Sequence, residues 1–172
     1  MPSHVQTDTT GRTEFPVSLV LEFQSTRTSA WSGGQWQVVE ALAGQHGASQ
    51  RRDAVPLHKD EAVERMLCSG YRLRLHRDDA ESYYCNLMGE RPSLFVVCGE
   101  ESGERPQPTL VTASYGEAAS YSETDENVYA VAIPPEIYRW IEAYVLEHYV
   151  PEKRRKRKRD NWKDEAQSRS AG

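Results

Sequence analysis

The sequence predicts an α+β domain: a single unit with a largely antiparallel sheet, two or three helices and a basic C-terminal tail. Two patterns carry that reading. Phe15 to Phe23 and Tyr71 to Arg77 alternate apolar and polar side chains with the period of half-buried strands. Ile137 to His148 instead repeats its apolar residues at helical spacing. Runs of both kinds in one chain without an internal repeat indicate a mixed domain with segregated helices.

Residues 1–14 are polar and aperiodic and read as a disordered lead-in to a domain over residues 15–150. The first strand places Phe15, Val17, Leu19, Leu21 and Phe23 on one face. Trp31 to Gly34 reads as a turn, and Gln35 to Ala43 as a second strand with Trp36, Val38 and Leu42 together on a face. Gly44 to Asp53 is a loop by composition. Asp60 is placed to cap a short helix through Leu67, closed by Ser69 and Gly70.

In Tyr71 to Arg77, Tyr71, Leu73 and Leu75 form the core face, opposite Arg72, Arg74 and His76. A turn at Asp78 to Ala80 leads into the Tyr-rich segment Ser82 to Met88, read as the return strand of a hairpin. After a turn at Gly89 to Pro92, Ser93 to Cys98 completes a three-stranded meander. Residues 99–108 are a loop, Thr109 to Thr112 is extended, and Ser114 with Glu117 has the spacing of a capping box for a helix through Tyr121. Asn127 to Ile133 is a strand. Pro134 and Pro135 then open the last helix, which buries Ile137, Trp140, Ile141, Tyr144, Val145 and His148 and turns Arg139, Glu142 and Glu147 outward until Pro151.

The net charge of −5 conceals an asymmetry: residues 1–150 carry 12 basic and 22 acidic side chains, whereas residues 151–172 carry 9 and 4. An acidic body thus precedes a basic tail, which suits an acidic partner, a nucleic acid or the body itself. The longest apolar runs fall far short of the roughly 20 residues that span a bilayer. The first residues lack the parts of an export signal, and three cysteines do not make a disulfide framework. A cytoplasmic, non-membrane protein is expected.

No metal-ligand spacing, nucleophile elbow, phosphate loop or dinucleotide fingerprint is present, so no catalytic residue, metal or cofactor is assigned and the chain is not read as an enzyme. Cys85 and Cys98, on predicted neighbouring strands, read as core packing. Two cationic groups of residues remain. Arg72, Arg74 and His76 line one strand face and form a possible anion-binding row, although a solvated face balanced by carboxylates of neighbouring strands explains them as well. Lys153, Arg154, Arg155, Lys156, Arg157, Lys158 and Arg159 form an unbroken run of cations followed by Trp162. Partner docking is the reading adopted for that run, with nucleic-acid binding as the alternative.

Phe15-Pro16-Val17, the Trp31 to Val39 region, Leu73 to Leu87 with its Asp79-Ala80-Glu81-Ser82-Tyr83-Tyr84-Cys85-Asn86-Leu87 stretch, Pro92 to Val97, Val111 to Ser114 and Pro134 to Trp140 occur in this order. In them the chain resembles an uncharacterised bacterial family of small cytosolic proteins, over residues 15 to 159. Genes of that family often lie beside those of molybdenum- or tungsten-dependent formate dehydrogenases, and some members are labelled molybdopterin-guanine dinucleotide biosynthesis protein A. The resemblance implies an accessory protein in formate dehydrogenase maturation or assembly, whose partner is a formate dehydrogenase subunit or one of its maturation factors. An enzyme of pterin-cofactor biosynthesis is a third reading; such a guanylyltransferase would carry a glycine-rich nucleotide loop near its N-terminus and metal-binding carboxylates, and this sequence has neither.

Overall fold

A computed structural model describes residues 12–28, 31–46, 52–99, 105–124 and 126–151. Its elements run β1 (Glu14–Thr28), β2 (Trp31–Ala43), β3 (Asp53–Lys59), β4 (Val63–Arg74), a 3-10 turn (Arg77–Asp79), α1 (Ala80–Leu87), β5 (Ser93–Gly99), β6 (Gln107–Thr112), α2 (Tyr115–Ser122), β7 (Asn127–Ala132) and α3 (Pro135–His148). Seven strands form two antiparallel sheets, ordered β2-β1-β4-β3 and β6-β5-β7. The α+β class read from the sequence is therefore the observed one, with two sheets rather than one.

β1 is the central long strand, and Val17, Leu19 and Leu21 are wholly buried on its inner face. β2 does not begin after a turn at Trp31 to Gly34: the backbone of these residues is already paired, Trp31 with Thr28 and Gly34 with Ser25. Gly34 is needed there because a Cβ would lie 2.0 Å from Cζ of Phe23, whose ring packs 5.5 Å from that of Trp36. Farther along, Leu21 faces Val38 while Val20 faces Glu40, so Val39 is an extra residue. That bulge reverses the side-chain alternation. Ala41 is buried in consequence, and Leu42 leaves the face predicted for it beside Trp36 and Val38.

The predicted helix from Asp60 to Leu67 is instead the turn of the β3–β4 hairpin and the first residues of β4. Asp60 Oδ1 accepts from the amides of Ala62 (2.8 Å) and Val63 (2.7 Å), and Oδ2 meets His58 Nε2 at 2.9 Å. A carboxylate accepting amides two and three residues ahead serves a hairpin turn as well as a helix start. His58 first, then those two amides, hold the Asp60 carboxyl down to about 2. Ser69 and Gly70 end no helix either. Val17 pairs with Tyr71 and Leu19 with Cys68, which leaves one extra residue in β4, and Gly70 takes φ of 86° to form the bulge. β3 begins at Asp53, inside the predicted loop.

Ser82 to Met88 is not a strand. α1 buries Ala80, Tyr83 and Leu87, spaced by three and four residues, while Tyr84 and Cys85 face out. The predicted meander is thereby dissolved: β4 belongs to the four-stranded sheet and β5 to the other. β5 and β7 lie where the sequence placed them, and β6 starts at Gln107, two residues earlier than read. Of the predicted loop 99–108, residues 100–104 lie outside the described residues, as do 1–11 of the lead-in.

β2 runs beside β7 and β4 beside β6, and the two sheets share one core of Val17, Leu19, Leu21 and Leu73 with Leu94, Val96, Val111 and Val131. α3 closes it with Ile137, Trp140, Ile141, Tyr144 and Val145, all buried as predicted. α2 covers the opposite face of the small sheet, where Tyr115 meets Phe95 edge-on at 5.8 Å. Its capping box works through a relay: Ser114 Oγ accepts from the Glu117 amide (3.2 Å), and Thr112 Oγ1 accepts from the Ser114 amide (3.0 Å) while donating to Glu117 Oε2 (2.5 Å).

The three cysteines fall into two environments. Cys68 and Cys98 are buried between the sheets, and burial pushes both thiols up, Cys98 to about 12. Cys85 is exposed on α1, away from the strand pairing read for it. Ellman's reagent is therefore expected to titrate one thiol in the native protein and all three in guanidinium, since the thiolate is the reacting form. A second thiol reacting at the native rate would show that the sheets part readily.

Candidate functional site

The predicted cationic row separates in the structure. Arg72 and Arg74 stand exposed on the outer face of β4, where the register sets Arg74 opposite Glu14 of β1. Arg74 Nε donates to Glu14 Oε1 at 2.8 Å and its Nη2 engages the same oxygen, while Arg72 Nη1 lies 3.7 Å from Oε2. The anion these two arginines hold is thus a carboxylate of the neighbouring strand. At such exposure the pairs contribute about 0–1 kcal/mol each. His76 does not join them; it precedes the 3-10 turn, and its amide donates to the Tyr83 hydroxyl at 3.0 Å.

Lys153, Arg154, Arg155, Lys156, Arg157, Lys158 and Arg159 lie outside the described residues, as does Trp162. The surface from which that stretch departs is described. α3 ends as Tyr149 leaves helical geometry at φ −101°, ψ 119°, its amide still bonded to the Val145 carbonyl at 2.8 Å. The Tyr149 ring then stacks on Tyr84 of α1, centroids 4.8 Å apart at 29°. Tyr138 Oη, one flank of α3 nearer its start, reaches the Leu87 carbonyl at 3.4 Å and helps hold the two helices together.

Exposed apolar side chains neighbour the Tyr84–Tyr149 pair along the chain. Met88, one turn after Tyr84, is 64% exposed; Leu146, in the last turn of α3, is 80% exposed, and Val150, just past the helix, 82%. An exposed Leu or Met alone means little, but several beside an aromatic stack supply the apolar side chains of which contact sites are made. Only three residues beyond Val150 the chain becomes seven consecutive cations. Sequence reading missed this surface because Tyr84 and Met88 fall one turn apart only when their segment is helical. The legible signal was Leu146, an apolar residue amid the outward Arg139, Glu142 and Glu147.

Among the described residues no cluster of His, Cys, Asp or Glu is placed to hold a metal ion, and no helix is long and apolar enough to cross a membrane.

Fold and surface together define a two-sheet α+β domain in which exposed apolar side chains stand at the end of α3, shortly before the basic stretch in the sequence. The family model described as a protein of unknown function, DUF3305, matches residues 16–158, and the chain belongs to that family. The match takes in the basic stretch as far as Lys158. No curated protein and no solved structure matches the chain.

Proposed function

We propose that this protein is a cytoplasmic accessory binding protein, which docks onto an acidic surface of a protein partner through the Tyr84–Met88–Tyr149–Val150 surface together with Lys153 to Arg159. The observation that carries this reading is the apolar surface at the root of the basic stretch. Cations steer an acidic partner toward the site and raise the encounter rate, but charge alone discriminates poorly. Specific affinity comes from a few desolvated apolar and aromatic contacts, which Tyr84, Met88, Tyr149 and Val150 supply beside the charge. The partner implied by the family resemblance is a molybdenum- or tungsten-dependent formate dehydrogenase subunit, or one of its maturation factors.

Tagged purification from the native host, in parallel with Met88→Glu and with Lys153 to Arg159 all changed to Glu, tests the reading. Both variants are expected to stay folded, Met88 being exposed, and to recover formate dehydrogenase proteins at about one-tenth of the wild-type yield or less, a loss of about 1.4 kcal/mol. A nucleic acid on the same cations behaves differently: its affinity falls by nearly one log unit per engaged phosphate for each log unit of salt, and Met88→Glu leaves it unchanged. Co-purifying material that nuclease removes, with formate dehydrogenase proteins absent, would replace docking with nucleic-acid binding.

A further inference from the structure

Where α3 packs beside the start of β1 and the end of β2, the described residues line an open groove of about 890 Å³. Such a volume falls in the range of small-molecule sites, about 300–1,000 Å³. Small residues line it on two elements: Ala143 of α3, and Ala43 with Gly44 at the end of β2. Small side chains there leave a slot rather than a filled seam. The apolar lining comes from Phe15, Trp140 and Tyr144; the Phe15 and Trp140 rings lie 5.3 Å apart, and Trp140 Nε1 donates to the Arg12 carbonyl at 3.0 Å, which fixes that backbone against α3.

Three arginines and three glutamates line the groove. Glu14 lines it, but its carboxylate is held by Arg72 and Arg74. Arg12, Arg77 and Arg139 line it from three separate parts of the chain, and none of them forms a salt bridge with another described residue. These are three of only twelve basic side chains in residues 1–150, against 22 acidic ones. Among the described residues these three guanidiniums have no ion pair, and with Glu14 held elsewhere they outnumber the two remaining carboxylates of the lining, Glu136 and Glu147, by one. Guanidinium forks suit a phosphate group, and Glu136 and Glu147 on the same α3 flank accept from hydroxyl or amino groups of the ligand.

We infer that this groove binds a small phosphate monoester with a flat apolar body, the phosphate held by Arg12, Arg77 and Arg139 and the body seated in the slot beside Ala143. The site shares no residue with the docking surface of the proposed function and stands or falls without it. Calorimetric titration of the full chain with phenyl phosphate, adenosine monophosphate, ribose 5-phosphate and inorganic phosphate tests the inference and distinguishes a simple aryl ester from a nucleotide. The expected result is that phenyl phosphate or adenosine monophosphate binds about tenfold or more tightly than ribose 5-phosphate and inorganic phosphate. Arg139→Ala and Ala143→Trp alter exposed side chains, so the fold should persist in both. Each should weaken the better ligand by about tenfold or more, the first by removing charge and the second by filling the slot. Changing Lys153 to Arg159 to Glu should leave this binding intact. Equal affinities for all four probes, no binding at about 1 mM ligand, or an Ala143→Trp protein that binds like wild type would overturn the assignment.

Discussion

Trp140→Ala is expected to lower the unfolding free energy by about 3–5 kcal/mol, read as a fall in the urea midpoint at unchanged slope. Trp140 is 5% exposed and packs on Phe15, so truncation leaves a cavity between α3 and the start of β1. It also removes the indole donor from the Arg12 carbonyl, a bond of 3.0 Å joining residues far apart in the chain. Leu146→Ala is the control on the same helix. Leu146 is 80% exposed, so its change should stay within about 0.5 kcal/mol. Comparable losses for the two substitutions would mean that α3 does not pack through the Ile137, Trp140, Ile141, Tyr144 face. Tyr149, which stacks on Tyr84, directly follows that helix, and one flank of the helix lines the groove, so its anchoring is a condition of both proposals.

The parts of this fold that were legible in the sequence are those in which local pattern and tertiary packing agree. β1 alternates because both its neighbours pair through long ladders, and α3 shows its stripe because a single face meets the core. Legibility fails where a local device serves two purposes. Asp60 accepts amides two and three residues ahead, which a helix cap and a tight hairpin share. Ser82 to Met88 looks extended because tyrosines favour strands, yet the alternation needed for a strand is absent and Ala80, Tyr83 and Leu87 lie on one helical face. The bulges at Val39 and at Ser69–Gly70 each reverse the facing of the strand residues beyond them, which no periodicity scan through them can register. The sites suffered for the same reason. The Arg72–Arg74 row was visible as charge, but its partner Glu14 lies 60 residues from Arg74 and is set opposite by register alone. Arg12, Arg77 and Arg139 have no spacing in common; they line one groove only because α3, the start of β1 and the 3-10 turn come together in the fold.

Replacing Asn86 is expected to have the second large effect, because this one side chain ties α1 to both parts of the small sheet. Its Nδ2 donates to the carbonyls of Ser93 (2.8 Å) and Ala113 (2.9 Å), and its Oδ1 accepts from the Ser93 amide (3.1 Å). With Asn86→Ala, three backbone groups where β5 starts and β6 has just ended lose their partner together. At about 1 kcal/mol for each bond, and more for any group left dry, the loss should be about 2–4 kcal/mol. Asn86→Asp is the sharper test. A carboxylate keeps the acceptor for Ser93 but turns a second acceptor on two carbonyls, so the charged form is disfavoured in the folded state and the folded pKa of the new group rises above its unfolded value of about 3.9. The variant is then least stable, relative to wild type, above that raised pKa, where folding must hold the ionised form. As pH falls through it the protonated acid regains a donor, and the gap between variant and wild type closes. Urea denaturation of both proteins at pH 7 and at about pH 4.5 should show the gap shrinking by about 1 kcal/mol or more, the linkage of one shifted carboxyl. A gap independent of pH, with Asn86→Ala near neutral, would show that the three bonds do not hold α1 in place and that the Tyr84 and Met88 surface rests on the α1–α3 contact alone.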